Sequence, residues 1–149
     1  MDWKTISRLF TLVGLLGFVY IFLALLFEPA WLTYPRLPHK TLMQTVVAGN
    51  PIKLYVYRCN SSTDLRSYQI SREIVCDDKH TVVLAADSIA IGPGCTEGIS
   101  LANVIPADTD SAKGCYVQGT SEVLGTIRTR IVPWYSDKFD IVAAPVDTP

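Results

Sequence analysis

The pattern of hydrophobic and polar positions divides the chain into two unlike parts. From Leu9 to Phe27 nineteen consecutive residues carry no charge, and Leu, Phe, Val and Ile predominate among them. Folded as a helix with a rise of about 1.5 Å per residue, this run would span roughly 28 Å, close to the hydrocarbon thickness of a bilayer. We therefore predict a transmembrane helix over residues 9–27, preceded by a short cytoplasmic tail, residues 1–8.

Two other structures compete with an anchor for the same apolar run. A core helix of a globular domain would normally be shorter and carry a polar face. A cleavable signal peptide has an apolar region of about 7–15 residues followed by small residues at the cleavage site, whereas here the bulky residues Phe27 and Trp31 flank Glu28-Pro29-Ala30. The pattern favours an uncleaved anchor with its N-terminus in the cytoplasm, because the N-terminal tail is very short.

Residues 28–40 are predicted to form a Pro-rich juxtamembrane stalk, because Pro29, Pro35 and Pro38 prevent further helix. Trp31 and Tyr34 follow the predicted helix closely. Amphipathic rings at such positions prefer the headgroup layer of the membrane. We therefore predict that both are membrane-interface anchors and that the lipid bilayer is the first partner of the chain.

Beyond residue 40 the hydrophobic positions alternate with period two. Ile52, Leu54 and Val56 share one face of a run whose other face carries Lys53, Tyr55 and Tyr57. Similar runs follow at 67–76, 80–91, 99–105, 115–124, 126–132 and 138–143, with turn residues between them. About seven short strands in ~100 residues are typical of a small sandwich. The predicted fold class is all-β, an antiparallel β-sandwich over residues 41–149 preceded by one transmembrane helix.

The end of this domain resembles the last strands of immunoglobulin-like domains. In IPADTDSAKGCYVQG a proline-led turn and a glycine precede a strand with a tyrosine, and FDIVA matches a short closing strand. The resemblance covers roughly residues 41–144 and departs from antibody domains in lacking a tryptophan in the third strand. It implies an immunoglobulin-like sandwich and no particular activity, because this architecture hosts unrelated functions.

The four cysteines, Cys59, Cys76, Cys95 and Cys115, all lie beyond the apolar run. Four cysteines in a small exported domain predict two disulfides, whereas a zinc site would favour closer pairs than these, which are separated by 16, 18 and 19 residues. Three pairings are open from spacing alone. Strands that alternate in direction favour Cys59–Cys95 and Cys76–Cys115, because sequential pairing would join opposite ends of the domain.

Composition and motifs argue against several functional classes. The formal net charge is -1 and no basic run stands out, so no nucleic-acid partner is expected. No GxSxG, HExxH, P-loop or GxGxxG motif occurs, and His39 and His80 have no evident partner. Solvated turns explain Asp77, Asp78, Asp108 and Asp110 better than a calcium loop does. We predict a protein that is not an enzyme and holds no cofactor or metal.

One stretch near the C-terminus could carry binding. It places together Arg128, Arg130, Trp134 and Tyr135, and aromatic residues and arginine are enriched at protein interfaces. The alternative, which the pattern favours, is that Trp134 covers one end of the core while the arginines form a solvated strand face.

These observations predict a structural or interaction protein that displays its domain on the periplasmic or extracellular side of a membrane. Its expected role is that of an accessory subunit of a membrane complex or membrane-associated assembly, and self-association is an alternative. Two other readings share this layout: a ligand-binding or sensor domain, and an envelope or virion-membrane component of a phage or mobile element. An extracytoplasmic enzyme would require titratable groups that converge in a cleft.

Overall fold

The computed structural model describes residues 3–145, and the side chains of all of these except residues 102 and 103. The described part contains one helix and ten strands. In chain order they are α1 (Trp3–Leu26), β1 (Leu32–Thr33), β2 (Lys40–Thr41), β3 (Thr45–Val47), β4 (Pro51–Asn60), β5 (Arg66–Val75), β6 (Thr81–Ile91), β7 (Gly94–Val104), β8 (Ala112–Leu124), β9 (Thr129–Tyr135) and β10 (Phe139–Val142).

Helix α1 is the predicted apolar helix, but it begins at Trp3, six residues before the uncharged run. Lys4 and Arg8 lie in its first turns, where long basic side chains can extend toward water. The helix ends at Leu26 because Pro29 prevents its continuation. None of its side chains is buried against the domain, and its length and composition suffice to cross a bilayer.

The smaller of two sheets is built around β4. Strands β1 and β2 pair with one edge of β4 and β7 pairs with the other, all antiparallel. The alternation predicted for this segment is present: Ile52 and Leu54 are buried, while Lys53 between them is exposed.

The larger sheet has the order β3-β10-β8-β5-β6, and β9 also pairs with β8. Strand β8 is central, since β5 lies along one edge while β10 and then β9 occupy the other. Its inward positions include Cys115, Val117, Ser121 and Val123, all fully buried. The parallel pairing of β3 with β10 is an exception among antiparallel ladders. The all-β prediction is confirmed at this level, and the seven predicted strands correspond to β4 through β10.

One hydrophobic cluster contains the buried residues of both sheets, for example Leu32 and Leu54 from the smaller sheet and Ile74 and Val117 from the larger. Residues 28–40 contribute to it, so they do not form the stalk that the sequence suggested. Leu32–Thr33 pairs with the end of β4, and Lys40–Thr41 pairs with its middle. This segment therefore runs along the edge of β4 as part of the domain.

Both disulfides join neighbouring antiparallel strands within a sheet. Cys59 on β4 is directly opposite Cys95 on β7, with Cα atoms 4.0 Å apart. Cys76 and Cys115 lie opposite each other, one position beyond the last pair of the β5–β8 ladder, Val75 and Tyr116. Their Cα atoms are 3.9 Å apart. These are the two pairs that alternating strand direction favours. Neither bridge connects the two sheets.

Candidate functional site at the helix–domain junction

The C-terminal end of α1 is bound to the turn between β8 and β9. Nη2 of Arg130 donates to the carbonyl oxygen of Leu26 at 2.7 Å, which places a cation at the negative end of the helix dipole. The carboxylate of Glu28 accepts from the backbone N–H of Thr126 at 2.9 Å and from its hydroxyl at 3.1 Å. The junction is therefore held by side chains, in addition to the covalent connection.

Trp31 packs in the core directly after this junction. Its Nε1 donates to the carbonyl of Leu124 at 3.1 Å, and its ring meets Tyr68 edge-on at 6.1 Å between centroids. Because the indole N–H is satisfied inside the domain and only 7% of the residue is exposed, Trp31 does not sit in the headgroup layer. The prediction of an interface anchor at Trp31 is corrected by this placement.

Tyr34 is buried in the same way. Its hydroxyl lies 2.7 Å from Oγ of Ser121 on β8, and burial raises the pKa of Tyr34, so the phenol keeps its proton. The predicted role as an interface anchor is corrected here too. A buried aromatic ring stabilises a domain by a few kcal/mol, roughly in proportion to its apolar area, and this gain explains why both rings are drawn into the core.

His39 lies beside Tyr34 and Trp134 in an aromatic cluster, with ring centroids 5.1 Å and 5.3 Å away. Only 2% of His39 is exposed, and burial lowers its pKa to about 4, so the imidazole is neutral at pH 7. The sequence placed His39 in the predicted stalk, residues 28–40. Sequence reasoning missed this cluster because Trp134 joins it from a segment about 95 residues away from His39.

Arg72 is a buried cation on the inward face of β5. Its Nη2 donates to the carbonyl of Ala85 at 3.1 Å and lies 3.9 Å from the carboxylate of Asp87. Burial lowers the pKa of Arg72, and the charge of Asp87 opposes that shift. Ala85 falls where the β5–β6 register shifts, so the irregularity supplies a carbonyl that can accept from the guanidinium.

The four predicted interface residues do not form one surface. Trp134 is buried over Gly119, where any side chain would collide with the indole, in agreement with the alternative that it covers the core. Arg130 binds the helix end, Arg128 is exposed in the β8–β9 turn, and Tyr135 is about half exposed on the outer face of the larger sheet. Gly119 lies on β8, which pairs with β9, and its missing side chain leaves room for the indole of Trp134. The sequence analysis did not use this glycine as a sign that Trp134 is buried.

Tyr135 contributes to a groove of about 560 Å³ on the outer face of the larger sheet. The groove is mixed in character: Glu73 accepts a hydrogen bond from the amide of Gln118 within it, and apolar side chains from Leu37, Val83 and Pro133 border it.

Two observations concern metal ligands and thiols among the described residues. No group of three or more His, Cys, Asp or Glu side chains within residues 3–145 is arranged to hold a metal ion. All four cysteines of the chain are in disulfides, so none is a thiol nucleophile.

No family model matches the chain, and no curated protein sequence matches it. Among solved structures, it is similar to the Pseudomonas fluorescens alkylpurine DNA glycosylase AlkC bound to DNA containing an abasic site analog, with a TM-score of 0.43 and 12% identity over 78% of this chain. The match covers 32% of the glycosylase chain. A likeness at this level carries no argument about function.

Proposed function

We propose that the protein is a membrane-anchored interaction protein, in which α1 crosses a bilayer and the disulfide-linked β-domain lies directly at the extracytoplasmic surface. The observation that carries this proposal is α1 itself. It presents apolar side chains on all sides, buries none of them fully against the domain, and is joined to the domain by Arg130 and Glu28. A helix that is hydrophobic all round requires an apolar environment, and a bilayer supplies one.

The disulfides support the orientation. Such bridges persist in oxidising compartments and are rare in the cytosol. With Cys59–Cys95 and Cys76–Cys115 both in the domain after α1, the domain belongs on the periplasmic or extracellular side. The N-terminus then remains in the cytoplasm.

The finer fold proposal is an immunoglobulin-like sandwich. Two sheets that share one core support it. The arrangement differs from antibody domains, whose bridge connects the sheets, because both bridges here lie within a sheet.

An accessory role in a membrane complex or assembly fits the short junction. Four residues, 27–30, separate the end of α1 from buried Trp31, so the domain is held near the bilayer and its partners must be found there. An envelope or virion-membrane component of a phage or mobile element would share this layout.

Ligand binding is the second candidate, because the groove beside Tyr135 combines apolar walls with the polar pair Glu73–Gln118. Small-molecule sites are usually concave and mostly apolar, with a few placed polar groups. A thermal-shift screen would separate the two candidates. A ligand that raises the melting temperature of the wild type, but not of a Gln118→Ala variant, would favour a sensor over a subunit.

The anchoring proposal is tested by membrane fractionation combined with the intact mass of the chain. We expect the full-length chain in the membrane fraction after alkaline carbonate extraction, with a mass four hydrogens below that of the reduced chain because of its two disulfides. Phe18→Arg should weaken membrane retention, since arginine at a helix centre costs roughly 2.5–3.5 kcal/mol. Ser7→Arg, near the helix start, is the matched control and should leave retention intact. A soluble chain that lacks α1 would overturn the proposal.

A further inference from the structure

We infer that the helix-side end of the domain, formed by the turns at residues 61–65 and 125–128, lies in the headgroup layer of the bilayer and contacts lipid directly. This inference rests on the proposed anchoring by α1. It adds a second membrane contact, made by the β-domain, that fixes how the domain is tilted and turned on the membrane.

Both turns flank the point where the chain leaves the helix. Glu28, two residues beyond the end of α1, binds Thr126 in the second turn. Trp31 accepts a hydrogen bond from the backbone N–H of Ser61, in the first turn, at 2.8 Å. Glu28 is two residues beyond Leu26, and an extended chain spans at most about 3.6 Å per residue. If α1 spans the hydrocarbon, the 125–128 turn that binds Glu28 therefore lies close to the membrane surface.

The exposed side chains at this end suit a lipid surface. Leu65 is 70% exposed and Ile127 is 49% exposed, and Phe27 at the helix end is 76% exposed. Arg66 and Arg128 stand next to the two aliphatic side chains in sequence and are also exposed. Surface-bound membrane segments combine the same two features. Their aliphatic side chains enter the interface, and neighbouring cations bind anionic headgroups.

The acidic groups at this end are few. Glu28 is bound to Thr126, and Asp64 is exposed. The opposite end of the domain carries the exposed residues Asp77, Asp78, Asp108 and Asp110 beside the exposed lysines Lys79, Lys113 and Lys138, and Lys138 pairs with Asp77. The placement of the first end at the membrane therefore rests on its position next to α1 and on its exposed aliphatic side chains, with the arginines as partners for anionic headgroups.

The test uses the full chain reconstituted in vesicles of phosphatidylcholine and phosphatidylglycerol. Because all four native cysteines are bridged, one introduced cysteine supplies the single thiol for an environment-sensitive fluorophore. Ile127→Cys reports on the proposed contact, and Ile131→Cys is its matched control, an exposed isoleucine on β9 farther from the turn. Lys79→Cys reports on the opposite end. Lipids with a nitroxide on the headgroup quench fluorophores that lie in the interface.

The expected result is a blue-shifted emission and strong quenching at position 127, weaker quenching at 131 and none at 79. Arg128→Glu in the labelled Ile127→Cys chain should reduce the quenching in these anionic vesicles. If the chain is in the vesicles but the label at 127 is quenched no more than that at 79, the lipid contact is wrong while the anchor stands. Shielding of position 127 from both lipid and water would also overturn it and indicate a protein partner. A chain that fails to enter vesicles removes both proposals.

Discussion

The two disulfides close loops of nearly equal length in very different surroundings. Their sequence separations are 36 and 39 residues, so the loop-closure model assigns each about 4 kcal/mol of stabilisation through the unfolded chain. In the folded state they differ. Cys76 and Cys115 are both buried at the end of the domain away from α1, whereas Cys95 is exposed at the end next to α1.

Comparing the two bridges separates two contributions to stability: the entropy lost by the unfolded chain and the packing of the sulfur atoms in the folded state. Since the entropic term is almost the same for both bridges, any difference between them in the free energy of unfolding must come from packing in the folded state. The comparison also contrasts the two ends of the domain: one has the buried bridge Cys76–Cys115, and the other has the more exposed bridge Cys59–Cys95 together with the hydrogen bonds of Arg130 and Glu28 at the helix junction.

The largest effect is expected from removing the buried bridge. Cys76→Ala with Cys115→Ala should lower the free energy of unfolding by about 5 kcal/mol, because about 1 kcal/mol for lost packing adds to the loop term. Cys59→Ala with Cys95→Ala is the matched control and should lose about 4 kcal/mol. Urea unfolding of the full chain in detergent measures both, and a larger loss for the exposed bridge would refute the packing argument.

Acid should lower the free energy of unfolding through His39, by the same amount whether or not either disulfide is present. Its pKa is about 4 in the folded chain, below the ordinary value of 6.5, so the unfolded chain binds more protons between these values. Stability is therefore fully present above pH 6.5 and falls as the pH drops to about 4, by about 3 kcal/mol in all.

Urea midpoints at pH 7, 5 and 4 would show this loss in the wild type and, by the same amount, in both bridge variants. His39→Phe keeps an aromatic ring without the titration and should flatten this part of the pH dependence. An unchanged slope in that variant would mean that other groups control the acid response.

The smallest effect is expected at Arg130. Arg130→Gln removes the hydrogen bond to the carbonyl of Leu26, which should cost about 1–2 kcal/mol at the junction. Hydrogen exchange should rise at Phe27 and Glu28 and remain unchanged around Cys76. Arg128→Gln alters the exposed arginine of the β8–β9 turn, just before β9, and should leave exchange at Phe27 as in the wild type. Equal effects of the two variants would argue against the specific bond.

The parts of the fold that follow from local pattern were predictable. Strands β5 and β8 show a clear period-two alternation of buried and exposed residues, and α1 follows an uninterrupted apolar run, so each is encoded within its own residues. Strand β7 does not show this alternation, because Ile99 and Leu101 are exposed. The helix nevertheless starts at Trp3, because Lys4 and Arg8 do not interrupt a helix even though they interrupt an uncharged run.

The junction was not predictable in this way. Trp31 and Tyr34 are as well suited to a headgroup layer as to a core, and their placement depends on Leu124 and Ser121, 93 and 87 residues away in the chain. The short strands β1 to β3 have two or three residues each, too few for an alternation to be recognised. The outer groove likewise depends on which strands become neighbours.

The burial of Trp31 so soon after α1 has a mechanical consequence. An α-helix turns by about 100° for each residue, and this junction has no free length in which such a turn could be absorbed. If α1 rotates about its axis, the domain must therefore rotate with it. The face that α1 presents to neighbouring helices thus sets the orientation of the β-domain about the helix axis. Inserting one residue between Phe27 and Ala30 would shift the helix end relative to Arg130 and Thr126 and should therefore change how the domain is oriented relative to α1.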